Sequence, residues 1–239
     1  MKKILMTSVV AASFAASALA QGTVNWGTIT PTFMTAQSNN VTYSTFVGTS
    51  PGQATGIAGA AAGVTTTTAN QYFYQLLYLV NGAQTATPTT LAGLSLFSAS
   101  AAETGVNNTG TAGRLTVGTS STQAATPAGW DPGVKATIIL AGWSANLGAN
   151  WATVSTKLNA WSANYITDAY FGLSASGYIS PNAVGSTGAT LFGSSANANG
   201  TPINSPLTQL SLLSPVPEPG TMALADLGGL AMLALRRKK

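Results

Sequence analysis

Three side chains between residues 21 and 216 could move protons as carboxylates: Glu103, Asp131 and Asp168. Glycoside cleavage needs two carboxyls facing each other across a sugar. Nothing in the spacing of these three pairs them. Asp131 lies in Trp130-Asp131-Pro132-Gly133, a turn composition. Asp168 falls at a predicted turn or strand edge, and Glu103 in a predicted loop. The chain contains neither Cys nor His. That removes disulfides, thiolate nucleophiles, most zinc and haem sites, and the Ser-His-Asp arrangement. A calcium site wants several carboxylates and carbonyls together, and these acids are too few and too scattered. The reading is a chain that is not an enzyme, with no catalytic residues, no metal and no cofactor.

The remaining side chains able to make a site are aromatic. Trp26, Trp130, Trp143, Trp151 and Trp161 could stack on sugar rings, with uncharged polar loops supplying hydrogen bonds. Trp151 and Trp161 share the apolar face of a predicted helix, where core packing is the expected role. Trp130, in its Pro/Gly loop, is the candidate for an exposed aromatic and hence for a glycan contact. Asn40, Asn107 and Asn199 head N-x-[ST] triplets. In an Asn/Thr-rich chain these are expected by coincidence.

Only 6% of the residues are charged, against roughly 25% in ordinary soluble domains. Six of the nine basic residues sit at the two ends. Between residues 21 and 216, Arg114, Lys135 and Lys157 offset the three acids, so the formal net charge there is zero. No clustered basic face is available for nucleic acid, which is excluded as a partner. Solvation must come from Thr, Ser, Asn, Gln and Gly, which leaves little charge repulsion against self-association.

The elements that must position these groups read as strands. Thr23–Trp26, Val41–Val47, Gln71–Val80, Leu91–Phe97, Arg114–Gly118, Lys135–Gly142, Ala169–Ser174 and Leu207–Leu213 carry alternation or β-branched and aromatic enrichment between turn residues. Gln71–Val80 is apolar on both faces, which predicts a central buried strand, and Asn81-Gly82 closes it with a turn signal. One segment breaks the pattern. Trp151, Val154, Leu158 and Trp161 recur at helical spacing after Asn150, a good N-cap. No fixed repeat is visible. The expected fold is mainly β: a single β-sandwich, jelly-roll or immunoglobulin-like, with one short amphipathic helix. An N-terminal signal helix and a C-terminal apolar helix flank it.

Residues 1–20 form a signal peptide by their three-part composition. Lys2 and Lys3 precede an apolar run, and Ala18 and Ala20 give the small-x-small pattern that signal peptidase requires, with Gln21 as the mature N-terminus. The passenger domain covers residues 21–215. Residues 216–239 follow as a separate unit. Pro217 and Pro219 lock φ and lack N–H donors, so Pro217-Glu218-Pro219 is extended and stiff. The apolar run Thr221–Leu235 would span about 22 Å as a helix, short of a hydrocarbon core of roughly 30 Å. Arg236, Arg237, Lys238 and Lys239 then form a basic tail that stays cytoplasmic by the positive-inside rule.

This three-part tail resembles the PEP-CTERM sorting signal family. The match covers about the last tenth of the chain, and Asp226 departs from the family's wholly apolar segment. The resemblance implies recognition by an exosortase, a membrane transpeptidase-like enzyme that removes the tail in Gram-negative bacteria making exopolysaccharide. It also implies passage through the Sec machinery, transient anchoring in the inner membrane, and delivery to the cell envelope or extracellular matrix. The opening Gln21–Asn25 and the pair Trp143 and Trp151 are similar to small PEP-CTERM passengers, a likeness that implies no activity. The passenger is then expected to be structural. The alternative is a carbohydrate-binding module acting in the exopolysaccharide.

Overall fold

The computed structural model describes residues 22–25, 35–40, 63–64, 68–107, 115–117, 124–125, 127, 129–204 and 207–213. The expected signal peptide, the strand over 41–47, and the whole of 216–239 lie outside them, as do both flanking helices. Among the described residues no helix is long and apolar enough to cross a membrane.

The chain is mainly β, and its centre is a pair of long antiparallel strands. β4 (Tyr72–Val80) and β8 (Ala136–Ser144) pair along their full lengths, from Tyr72 opposite Ser144 to Val80 opposite Ala136. Every residue of β8 is buried, which explains its largely apolar composition: both faces of the sheet are covered at that strand. On one face β4 and β8 place Tyr74, Leu76, Tyr78, Ile138 and Leu140 in one core cluster. On the other face Leu77, Ile139, Ala141 and Trp143 enter a second cluster. This is the period of two written into the sequence.

The sheet extends in both directions from this pair. On one side come β5 (Ser98–Asn107) and β6 (Leu115–Val117). On the other, β9 (Tyr170–Leu173) pairs the end of β8, followed by β13 (Leu207–Leu212), β2 (Thr35–Asn40) and β3 (Gly63–Val64). All of these pairings are antiparallel except β13 with β2. β10 (Gly177–Ile179) continues along β8 where β9 stops, and carries β12 (Gly200–Thr201) on its outer side. Ser174 bridges the gap between β9 and β10. Its N–H donates to the Leu140 carbonyl and its hydroxyl accepts from the Leu140 N–H, each at 2.9 Å.

A small second sheet sets β1 (Val24–Asn25) between β11 (Ala189–Thr190) and β7 (Ala124–Ala125). Val24 and Ala189 pack into the first core cluster. The opposite face is covered by α1 (Leu91–Leu94), a 3-10 turn over Ala145–Leu147, and α2 (Trp151–Asn159). The expected helix is therefore present. Asn150 caps it, its side chain accepting from the Thr153 N–H at 2.9 Å, and Val154 and Leu158 are buried.

Two sequence expectations fail for identifiable reasons. Leu91–Phe97 does not form a strand. The Thr90 side chain accepts from the Gly93 N–H and starts a helical turn, and Leu94 and Phe97, three apart, enter the core. Glu103 is not in a loop, because Ser98–Asn107 is a strand along β4. Its Ala/Ser composition carries no β signal; the exposed edge of β4 imposes the conformation. A shift of register opposite Gln75 is filled by the Gln75 side chain, whose amide N–H donates to the Ser100 carbonyl. Asn81-Gly82 ends β4 without making a two-residue hairpin. Asn81 Oδ1 instead accepts from the N–H and hydroxyl of Thr137, at 3.2 and 3.1 Å, tying the strand end to β8.

Candidate functional site

The Glu103 side chain lies outside the described residues; Asp131 and Asp168 fall in different loops. Asp131 is exposed in the predicted turn, its carbonyl accepting from the Val134 N–H at 3.1 Å. Asp168 is exposed and stands at φ 56°, in the left-handed region, one residue before Ala169 leads into β9. Among the described residues no group of three or more His, Cys, Asp or Glu is placed to hold a metal.

Trp130, expected as an exposed sugar platform, is fully buried. The residues around it do form a turn, and that turn is pinned inward. The Trp130 carbonyl accepts from Gly22 N–H at 2.9 Å, and the Pro181 carbonyl accepts from Gly133 N–H at 3.1 Å. The indole N–H donates to the Val134 carbonyl at 2.7 Å. The ring stacks on Tyr78 with centroids 5.2 Å apart and planes 12° from parallel. Burial of a large ring with its one polar atom satisfied is core chemistry. The exposed ring that a glycan contact at Trp130 requires is absent.

Two of the three Asn-x-Thr asparagines also have structural work. Asn107 is buried; its Oδ1 accepts from the N–H groups of Gln71 and Tyr72, and its Nδ2 donates to the Thr68 carbonyl. It thereby closes the entry to β4. Asn199 Nδ2 donates to the Ser180 carbonyl and to Asn182 Oδ1.

A cleft does form where sequence reasoning placed no site. It lies between α1 and α2 and encloses about 220 Å³. Leu91, Leu94, Phe97 and Leu158 give it an apolar floor, and Trp151 forms one wall. Trp151 is braced from behind: its ring is 5.8 Å from that of Trp143 and 6.2 Å from that of Phe171. Ser95, Ser155 and Asn159 complete the lining. Among the described residues no charged side chain lines it. No local pattern reveals it, because its two halves, residues 91–97 and 151–159, lie far apart in the chain.

Residues 215–238 match the family model of the PEP-CTERM protein-sorting motif. This is the tail identified from Pro217-Glu218-Pro219, the apolar segment and the basic end. The chain carries a sorting motif that marks an exported protein for exosortase-dependent delivery through the membrane to the cell envelope or extracellular space. No curated protein and no solved structure matches the chain.

Proposed function

We propose that this protein is a structural component of the cell envelope or extracellular matrix, delivered by exosortase and without catalytic activity. The match of residues 215–238 to the sorting motif carries the reading. Signal peptidase cuts after Ala20 and releases Gln21 as the new N-terminus. The apolar segment holds the chain in the inner membrane while Glu218, between two prolines, is presented to the exosortase. The passenger over 21–215 is a β-sandwich, with the small sheet laid on one face of the large one. Two observations support a structural role: the exposure of Asp131 and Asp168 in different loops, and the charge-poor composition of the passenger.

Mass spectrometry of the exported protein tests this. The expected product begins at Gln21 and lacks Arg236 to Lys239. Replacing Pro217, Glu218 and Pro219 with alanine should leave full-length material in the membrane fraction. A peptide containing Arg236 on the exported form would overturn the assignment.

A further inference from the structure

We infer that the cleft between α1 and α2 binds a single ring of a neutral, hydroxyl-rich ligand, a pyranose unit of an uncharged glycan. The inference rests on the cleft alone and does not depend on the sorting tail.

Size comes first. Pockets for drug-sized ligands run to roughly 300–1,000 Å³. At about 220 Å³ the cleft suits one ring. Its chemistry narrows the class. A charged ring would be desolvated with no counter-charge, because among the described residues no ionisable side chain lines the cleft. Lys157, the only charged residue of α2, is directed to the Asn146 carbonyl at 3.4 Å.

The polar lining is poised to accept. Ser95 and Ser155 donate their hydroxyl protons back to the Ala92 and Ala152 carbonyls, which leaves oxygen lone pairs on both. Asn159 Nδ2 donates to the Ser155 carbonyl, and its Oδ1 accepts from nothing among the described residues. An alkyl chain would waste these three acceptors; a ring bearing hydroxyl donors would use them. Trp151 adds the remaining requirement. The indole N–H groups of Trp130 and Trp143 donate to the Val134 and Gly148 carbonyls. No such bond forms at Trp151 among the described residues, although Trp143 and Phe171 hold its ring in place. It is a braced aromatic surface with a spare donor, against which the C–H face of a sugar can bury.

The full chain, in a zwitterionic detergent without sugar headgroups, would be applied to an array of neutral glucan, mannan and galactan oligosaccharides beside uronic-acid oligosaccharides. Affinities for the hits follow from titration of tryptophan fluorescence. Neutral oligosaccharides should bind in preference to the acidic ones. Asn159→Ala should weaken binding about fivefold, the loss of one hydrogen bond. Trp151→Ala should weaken it about tenfold or more. If Trp151→Ala does not fold, Ser155→Leu fills the cleft from the helix surface and should abolish binding, with an unchanged melting curve showing the fold intact. The inference is overturned by absence of neutral-glycan binding, by equal binding of uronic-acid oligosaccharides, or by folded variants that bind within about twofold of the parent.

Discussion

Replacing Trp130 with alanine separates the two roles open to that residue. A surface platform costs little to remove, since substitutions away from packed features stay within about 0.5 kcal/mol. A core ring costs far more. Trp130 is fully buried, stacked on Tyr78, and bonded through its N–H to the Val134 carbonyl. Truncating a buried Trp or Phe to Ala costs roughly 3–5 kcal/mol. The orphaned Val134 carbonyl adds little, because Val134 is 40% exposed and water can replace the donor. The expected loss is about 4 kcal/mol. For a chain of this size that is a fall in Tm of roughly 8–16 °C. Trp130→Phe keeps most of the ring and loses the hydrogen bond, so about 1–2 kcal/mol is expected. Urea unfolding followed by far-UV circular dichroism measures both variants without relying on the deleted fluorophore. An alanine variant as stable as the parent would refute the burial, and with it the packing of the small sheet against the large one.

Three further outcomes follow from particular contacts. Gly142 stands opposite Tyr74 in the ladder, and a Cβ there would lie 2.9 Å from the Tyr74 ring and 2.8 Å from Leu210 Cδ2. Gly142→Ala should therefore cost about 1–3 kcal/mol by overpacking, read as a lower denaturation midpoint with an unchanged slope. Asn150→Ala removes the cap on α2 and should cost about 1 kcal/mol, restored largely by Asn150→Ser or Asp. Burial raises the phenol pKa of Tyr78. It also raises that of Tyr170, with smaller contributions from Tyr72 and Asp168. A raised folded-state pKa means this stability is fully present below the unfolded value of about 10 and is lost as pH rises through the folded values. Stability measured by chemical denaturation should hold level up to about pH 9 and fall beyond pH 10, and Tyr78→Phe should lessen that fall.

Much of this protein is legible locally. The apolar, β-branched stretch within Lys135–Gly142 and the double-faced apolar run of Gln71–Val80 announce the two central strands. Asn150 and the Trp151, Val154, Leu158 spacing announce α2. Pro217-Glu218-Pro219, the apolar segment and the basic tail announce the sorting motif, since a processing enzyme reads a short linear segment. These features depend on neighbours within a few residues, which a sequence displays directly.

Tertiary structure alone decided the rest. Ser98–Asn107 becomes a strand because β4 offers unpaired backbone groups, although its own composition does not ask for one. Leu91–Leu94 becomes a helical turn because the second core takes Leu94 and Phe97 from it. Trp130 sits in a turn by its sequence, and contacts distant in the chain, with Gly22, Pro181 and the Tyr78 ring, hold that turn and its ring inward. The cleft joins residues 91–97 to residues 151–159, which meet only because both cover the same sheet face. Burial and clefts are properties of surfaces brought together across long sequence separations, and no window of sequence contains both halves.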